Sequence, residues 1–152
     1  MPSGEIDVVR TLGAERLPQV LALYGSAWWT ARRTPADVER MLAGTDVVLG
    51  LVERSTDQLV GFARALTDSV YLAVILDVIV ASSHRGQGLG RRLMDELLAH
   101  APLNAVDSVE VVCQPELVPF YRRWGFTDQV GRSLLMRRTS NPLLVRSTPP
   151  DL

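Results

Sequence analysis

The chain has 152 residues, 47% hydrophobic and 22% charged, with 16 Lys and Arg against 17 Asp and Glu. That length suits one domain able to bury its own core, and the near-neutral balance argues against a dedicated nucleic-acid binder, whose phosphate contacts call for a basic excess. A lone cysteine, Cys113, excludes an internal disulfide and points to a reducing compartment; with no signal-like leader and no apolar run near the roughly 20 residues of a membrane span, a cytoplasmic protein without membrane attachment is expected.

Ile6-Asp7-Val8-Val9-Arg10 alternates as a first strand should. Leu17, Val20, Leu21 and Tyr24 then share one helical face, with Pro18 near the helix start, so a helix is expected over roughly Glu15 to Ala27. Thr34-Pro35-Ala36-Asp37 supplies an N-cap, a proline at the first helical position and an acid three residues on. That second helix turns Val38, Met41 and Leu42 inward and stops near Gly44. Between the helices lies Trp28-Trp29-Thr30-Ala31-Arg32-Arg33. Two readings stand for Trp28 and Trp29: closure of the core over the first helix, or an aromatic wall that holds an apolar or cationic amine substrate.

Val47 to Glu53, Gln58 to Leu66 and Val70 to Val80 read as three successive strands joined by the polar turns Arg54-Ser55-Thr56-Asp57 and Thr67-Asp68-Ser69. The third is nearly continuous in apolar residues, as a strand covered on both faces should be. Asp77 interrupts it, and a carboxylate in such a strand demands a partner. After Arg85-Gly86-Gln87-Gly88-Leu89-Gly90, the leucines 89, 93, 97 and 98 mark a helix to His100. Val106 to Cys113 reads as a strand, Glu116 to Trp124 as a short helix, and Thr127 to Arg138 as a return to strand with a hairpin around Gly131. Residues 141–152, with Thr148-Pro149-Pro150, are expected to be an extended or disordered tail after a single domain over 1–140.

The glycine-rich turn sits between a strand and a helix, where unpaired N–H groups and the helix dipole favour a phosphate. A dinucleotide fingerprint beginning at Gly86 needs glycine at 91, which is Arg91, and a phosphate loop needs a lysine followed by a hydroxyl residue, which is absent. What remains, Arg85-x-x-Gly88-x-Gly90, resembles the pyrophosphate-binding pattern of the GNAT superfamily of acyl-CoA-dependent N-acyltransferases. Val80, five residues before Arg85, matches that family's lead-in strand, although Ala81 stands where proline is frequent. Phe120-Tyr121-Arg122-Arg123-Trp124-Gly125-Phe126 resembles its second signature, aromatic-Tyr-x-x-x-Gly-Phe. Within the family, the run from Arg64 through Val80 to Tyr121 is most similar to a bacterial and plastid-type branch that includes arylalkylamine acetyltransferases.

The resemblance implies an α/β fold with a mixed, mostly antiparallel sheet of six to seven strands, splayed between the fourth and fifth and flanked by about four helices. It implies an acetyl-CoA-dependent N-acetyltransferase that moves the acetyl group directly to the primary amine of a small molecule. The backbone of Arg85, Gly86, Gln87, Gly88, Leu89 and Gly90 would hold the pyrophosphate, with Arg85 and Arg91 adding charge. Backbone of Ile79 and Val80 would pair with the pantetheine arm, and Gln114 stands where the family usually has a pantetheine-contacting asparagine. Tyr121 would be the acid at the leaving sulfur. For the base, the strand positions that should face the acceptor are Val74 and Leu76, both apolar; Asp77 has the other parity unless a bulge turns it back. It is read as base, amine anchor or structural residue, with Glu110, Glu116 or a water chain as alternatives. Cys113 reads as a small buried hydrophobe, and His84 and His100 lack ligand-like companions, so no metal is expected. Acceptors on proteins and a non-catalytic acyl-CoA sensor are the competing functions, and a homodimer is compatible with all three.

Overall fold

The computed structural model describes residues 4–145. The chain divides into two compact units, one reaching to Val112 and one beginning at Cys113. In the first, strands β1 (Ile6–Val9), β2 (Val47–Glu53), β3 (Gln58–Thr67), β4 (Leu72–Val80) and β5 (Ser108–Val111) form one sheet in chain order. The first four are antiparallel neighbours, and β5 joins β4 in parallel. Its helices are α1 (Leu17–Gly25), α2 (Pro35–Ala43) and α3 (Leu89–Ala99). Thr34 caps α2 by accepting the Asp37 N–H on its Oγ1 at 3.3 Å, and Pro35 follows at the first helical position. These are the roles their spacing predicts.

The turns between strands are also built locally. Asp68 accepts the N–H groups of Val70, Tyr71 and Leu72 on one carboxylate oxygen, at 2.7 to 3.1 Å. These backbone bonds hold its pKa below the ordinary value, and the turn delivers the chain into β4.

Strand alternation splits the apolar residues between two layers. On one face, Val20, Leu23, Tyr24 and Ala27 of α1 and its C-terminal turn pack with Val38, Val52, Leu59, Phe62 and Ile79, all buried. Tyr24 meets Phe62 edge-on at 5.6 Å between centroids. Leu49, Leu51, Ala63, Ala65 and Ile75 alternate to the opposite face, and α3 packs on β2, β3 and β4 with Leu93, Met94 and Leu97 buried. Each fully buried leucine contributes about 2 kcal/mol, so the sheet is a firm platform for whatever its edge and end present.

In the second unit a single turn of 3-10 helix (Pro115–Leu117) leads into α4 (Val118–Arg122). Phe120 makes edge-on contacts with Tyr121 and Trp124 at 4.9 and 5.0 Å, and Tyr121 with Phe126 at 6.0 Å. The return strand expected over Thr127 to Arg138 does not form, and among the described residues five strands stand where six to seven were expected. The physical reason lies in the pattern: Leu134, Leu135 and Met136 are consecutive rather than alternating, all are exposed, and arginines flank them. Without one apolar face to bury, nothing specifies a register. Of the expected tail, Pro142–Leu144 form a 3-10 turn capped by the Asn141 side chain; residues 146–152 lie outside the described residues.

Candidate active site

The site begins with a strand that outlasts its neighbour. β5 pairs with β4 only from Leu72 to Ile75. Beyond that, residues 76–80 keep β3 on one side and, among the described residues, have no strand on the other. Ala81 donates its N–H to the Val60 carbonyl at 2.8 Å. Backbone groups of adjacent strand residues point to opposite edges, so Val80 turns its N–H and C=O to the open side while Ile79 turns its own to β3. The splay after the fourth strand is therefore present, and of the two expected pantetheine partners Val80 offers the free backbone.

Two residues before Ile79 the strand bulges. Leu76 pairs with Arg64 and Ile79 with Phe62, so Asp77 and Val78 together oppose the single residue Ala63. Asp77 takes a left-handed φ of 56°, a conformation that aspartate tolerates better than most residues. The bulge turns its carboxylate onto the α1 face, against the parity of a regular strand. There Oδ2 accepts three bonds: from the Tyr24 hydroxyl at 3.0 Å, Arg33 Nη1 at 2.5 Å and Arg64 Nε at 2.7 Å. The Asp77 side chain is 4% exposed, Arg64 10% and Arg33 31%. Burial pushes the Asp77 pKa up, but the bonds and charges of the two guanidiniums outweigh it and hold the carboxyl below its ordinary range. The same burial, with the Asp77 charge, raises the Tyr24 phenol well above its ordinary value. Arg33 also lies 4.8 Å from the Tyr24 ring centre, a cation–π contact.

At the C-terminal end of β4 a 3-10 turn (Ser82–His84) and extended Arg85 lead into the glycines. Gly86 and Gly88 have φ of 76° and 77°, and a Cβ at either would meet nothing within 4 Å. Their absence of a side chain serves the left-handed turn rather than relieving a clash. Gly88 is the N-cap of α3, with no side-chain cap and no acid in the first turn. The first intrahelical bond at this end runs from the Arg92 N–H to the Gly88 carbonyl, which leaves the N–H groups of Gly88, Leu89, Gly90 and Arg91 without helical partners. Arg85, Gln87 and Arg91 are exposed around them. The arrangement is a ready anion site at the end of an open strand edge.

In the second unit Tyr121 is buried, and burial together with the neighbouring Cys113 raises its phenol to about 12. Burial likewise raises the Cys113 thiol, followed by the Glu116 charge, so a thiolate nucleophile is disfavoured there. Gln114 precedes the 3-10 turn, half-buried, and its carbonyl accepts the Leu117 N–H.

The family model of the acetyltransferase (GNAT) domain matches residues 14–136. The chain belongs to the GNAT acetyltransferase family. It is 30% identical over 135 residues to the chloroplastic GCN5-related N-acetyltransferase 1 of Arabidopsis thaliana, covering 87% of this chain and 68% of that one. Over 97 residues it is 37% identical to the chloroplastic serotonin N-acetyltransferase 2 of Oryza sativa subsp. japonica, covering 62% of this chain and 48% of the relative. The chain spans 60% of the length of another relative, the uncharacterized N-acetyltransferase ycf52 of Porphyra purpurea. Among solved structures, a putative acetyltransferase from Deinococcus radiodurans R1 superposes with a TM-score of 0.73 at 28% identity, covering 91% of this chain and 92% of that one.

Within this GNAT domain, the residues expected from sequence fall into separate groups. Ile79, Val80 and the Arg85 to Arg91 turn form one continuous run of backbone. Asp77 lies on the same strand, turned onto the α1 face. Trp29 packs on the α1-side core and Trp28 stacks edge-on against it at 5.8 Å, both half-buried. Trp29 thus touches the core, and both indoles retain surface. Sequence reasoning missed Tyr24, Arg33 and Arg64 as the partners of Asp77. The signal for them was the demand of a buried carboxylate for donors, which announces that partners exist without saying which.

Proposed function

We propose that this protein is an acetyl-CoA-dependent N-acetyltransferase whose acceptor is the primary amine of a small molecule. The observation that carries the cofactor half is the continuity between the unpaired edge of β4 and the unpaired N–H groups at the start of α3. An acyl-CoA is a ligand with amides along its arm and a pyrophosphate at its end, and this run of backbone offers partners for both in the right order. When bound, acetyl-CoA supplies an activated acyl carbon and a thiolate leaving group. The Val80 N–H then faces the acyl oxygen and stabilises charge that develops there. Tyr121, protonated across the neutral range, donates to the departing sulfur. Asp77, with its pKa lowered and Oδ2 occupied, is suited to anchoring the amine rather than to removing its proton. With Val74 and Leu76 apolar, we assign that proton to water. Serotonin N-acetyltransferase, one of the relatives, takes its name from a small amine, which supports the acceptor class.

A protein acceptor is the second reading, favoured by 35% identity over 69 residues to the histone acetyltransferase TAP1 of Glycine max. Thiol release from acetyl-CoA, followed with a panel of small amines and lysine or N-terminal peptides, separates them. Amine-dependent release with small amines supports the proposal; release only with peptides replaces it with the second reading, and no release with either refutes both.

A further inference from the structure

The Asp77 cluster holds one carboxylate and two guanidiniums, so its formal charge is positive. All three donors to Asp77 converge on Oδ2. Oδ1 takes none of these three bonds, and the Asp77 side chain retains 4% of its surface. Arg33 reaches Asp77 through Nη1 alone, and its side chain is 31% exposed. A guanidinium carries donors beyond Nη1 with which to meet a carboxylate in the planar geometry of a fork. Its tether is short: Arg33 sits at the end of the connection that carries Trp28 and Trp29, and its guanidinium is fixed from below by the Tyr24 ring and from the side by the Met41 sulfur at 3.7 Å. Such a preorganised cation loses little freedom when it binds an anion.

We propose that the acceptor is an amine that also carries a carboxylate, an amino acid or close analogue, with its amino group at Asp77 Oδ1 and its carboxylate on Arg33. This rests on the acetyltransferase reading and narrows its substrate class. A simple arylalkylamine supplies a partner for Oδ1 and none for Arg33, whereas an amino acid satisfies both. Arg64, 10% exposed and bonded through Nε to Asp77 and from Nη1 toward Thr45 Oγ1 at 3.5 Å, is the buried half of the cluster and acts as a positioning residue.

The test compares phenylalanine with phenylethylamine, which differ only in the carboxylate, in wild type and in Arg33→Ala. The ratio of their kcat/KM values should favour phenylalanine, and Arg33→Ala should reduce that ratio at least about tenfold, mainly through KM, as befits loss of one charge-assisted bond. Because the ratio is taken within each protein, the amines' different basicities cancel between wild type and variant. Should Arg33→Ala fold poorly, wild type alone answers: N-acetylphenylalanine should inhibit at least about tenfold better than N-acetylphenylethylamine. Turnover of phenylethylamine with an unchanged ratio, or equal inhibition by the two products, overturns this inference and leaves the acetyltransferase reading standing. Absence of thiol release with every amine overturns both.

Discussion

Asp77→Asn isolates the charge at the centre of the bulge. Asparagine has the same shape and tolerates the left-handed φ of 56° equally well, so the substitution adds no backbone strain. What it removes is the negative charge that three donors converge on. Breaking a buried ion pair by neutralising one partner costs about 3–5 kcal/mol. The lower end applies here, because Arg33 is 31% exposed and so already partly hydrated, and the asparagine oxygen can still accept a hydrogen bond. Arg64, at 10% exposure, has little such hydration. A loss of about 3 kcal/mol lowers the melting midpoint by roughly 6–12 °C in a chain of this size, measurable by circular dichroism or urea titration. The pH dependence has a definite sign. Asp77 is depressed below its ordinary pKa in the fold, so its contribution is fully present above the ordinary carboxyl range and is lost as pH falls through the folded value. The stability gap between wild type and Asp77→Asn should therefore stay constant from about pH 8 to pH 5 and close only below about pH 4. A gap under about 1 kcal/mol, or one that closes near neutrality, would show that the Asp77 charge does not hold this cluster together.

Other expectations follow from the same geometry. Asp77→Asn should leave the rising limb of the pH–rate profile near neutrality in place, since a carboxylate with a lowered pKa does not titrate there; a displaced limb would make Asp77 the base. Tyr121→Phe should cut turnover about 100-fold or more with acetyl-CoA affinity nearly unchanged by calorimetry, the size of a positioned acid; because the phenol titrates only at about 12, wild-type activity should show no loss from its ionisation up to about pH 10. Gly88→Ala meets no atom within 4 Å but keeps a φ of 77°, so it should cost about 1–2 kcal/mol in stability from left-handed strain and weaken acetyl-CoA binding without touching the acceptor side. Thr34→Ala, which removes the N-cap bond to Asp37, should cost about 1 kcal/mol in urea titration and leave acetyl-CoA affinity intact.

Local chemistry carried most of what could be read in advance. Thr34-Pro35-Ala36-Asp37 is a helix start wherever it stands, and β2 runs over Val47–Glu53 as its apolar pattern between polar flanks predicts. The glycine turn was legible because a left-handed N-cap and a phosphate site need the same residue. The Asp77 cluster was not, because its partners are 13, 44 and 53 residues away in sequence and meet only when α1 and its following loop fold over the sheet. Parity alone put Asp77 on the wrong face; the bulge that reverses it depends on the pairing with β3. The misread return strand shows the converse limit. Leu134, Leu135 and Met136 are hydrophobic enough for a strand, but hydrophobicity without alternation does not say which side to bury.

We propose one stretch of backbone, from the open edge at Val80 to the start of α3, as the acyl-CoA site. Amide chemical shifts of the 15N-labelled protein, titrated with acetyl-CoA, test it residue by residue. The largest shifts should fall at Val80 and at Gly86 through Arg91, with Gly88, Leu89 and Gly90 foremost. Binding that leaves those amides unmoved, or no binding at all, would contradict it.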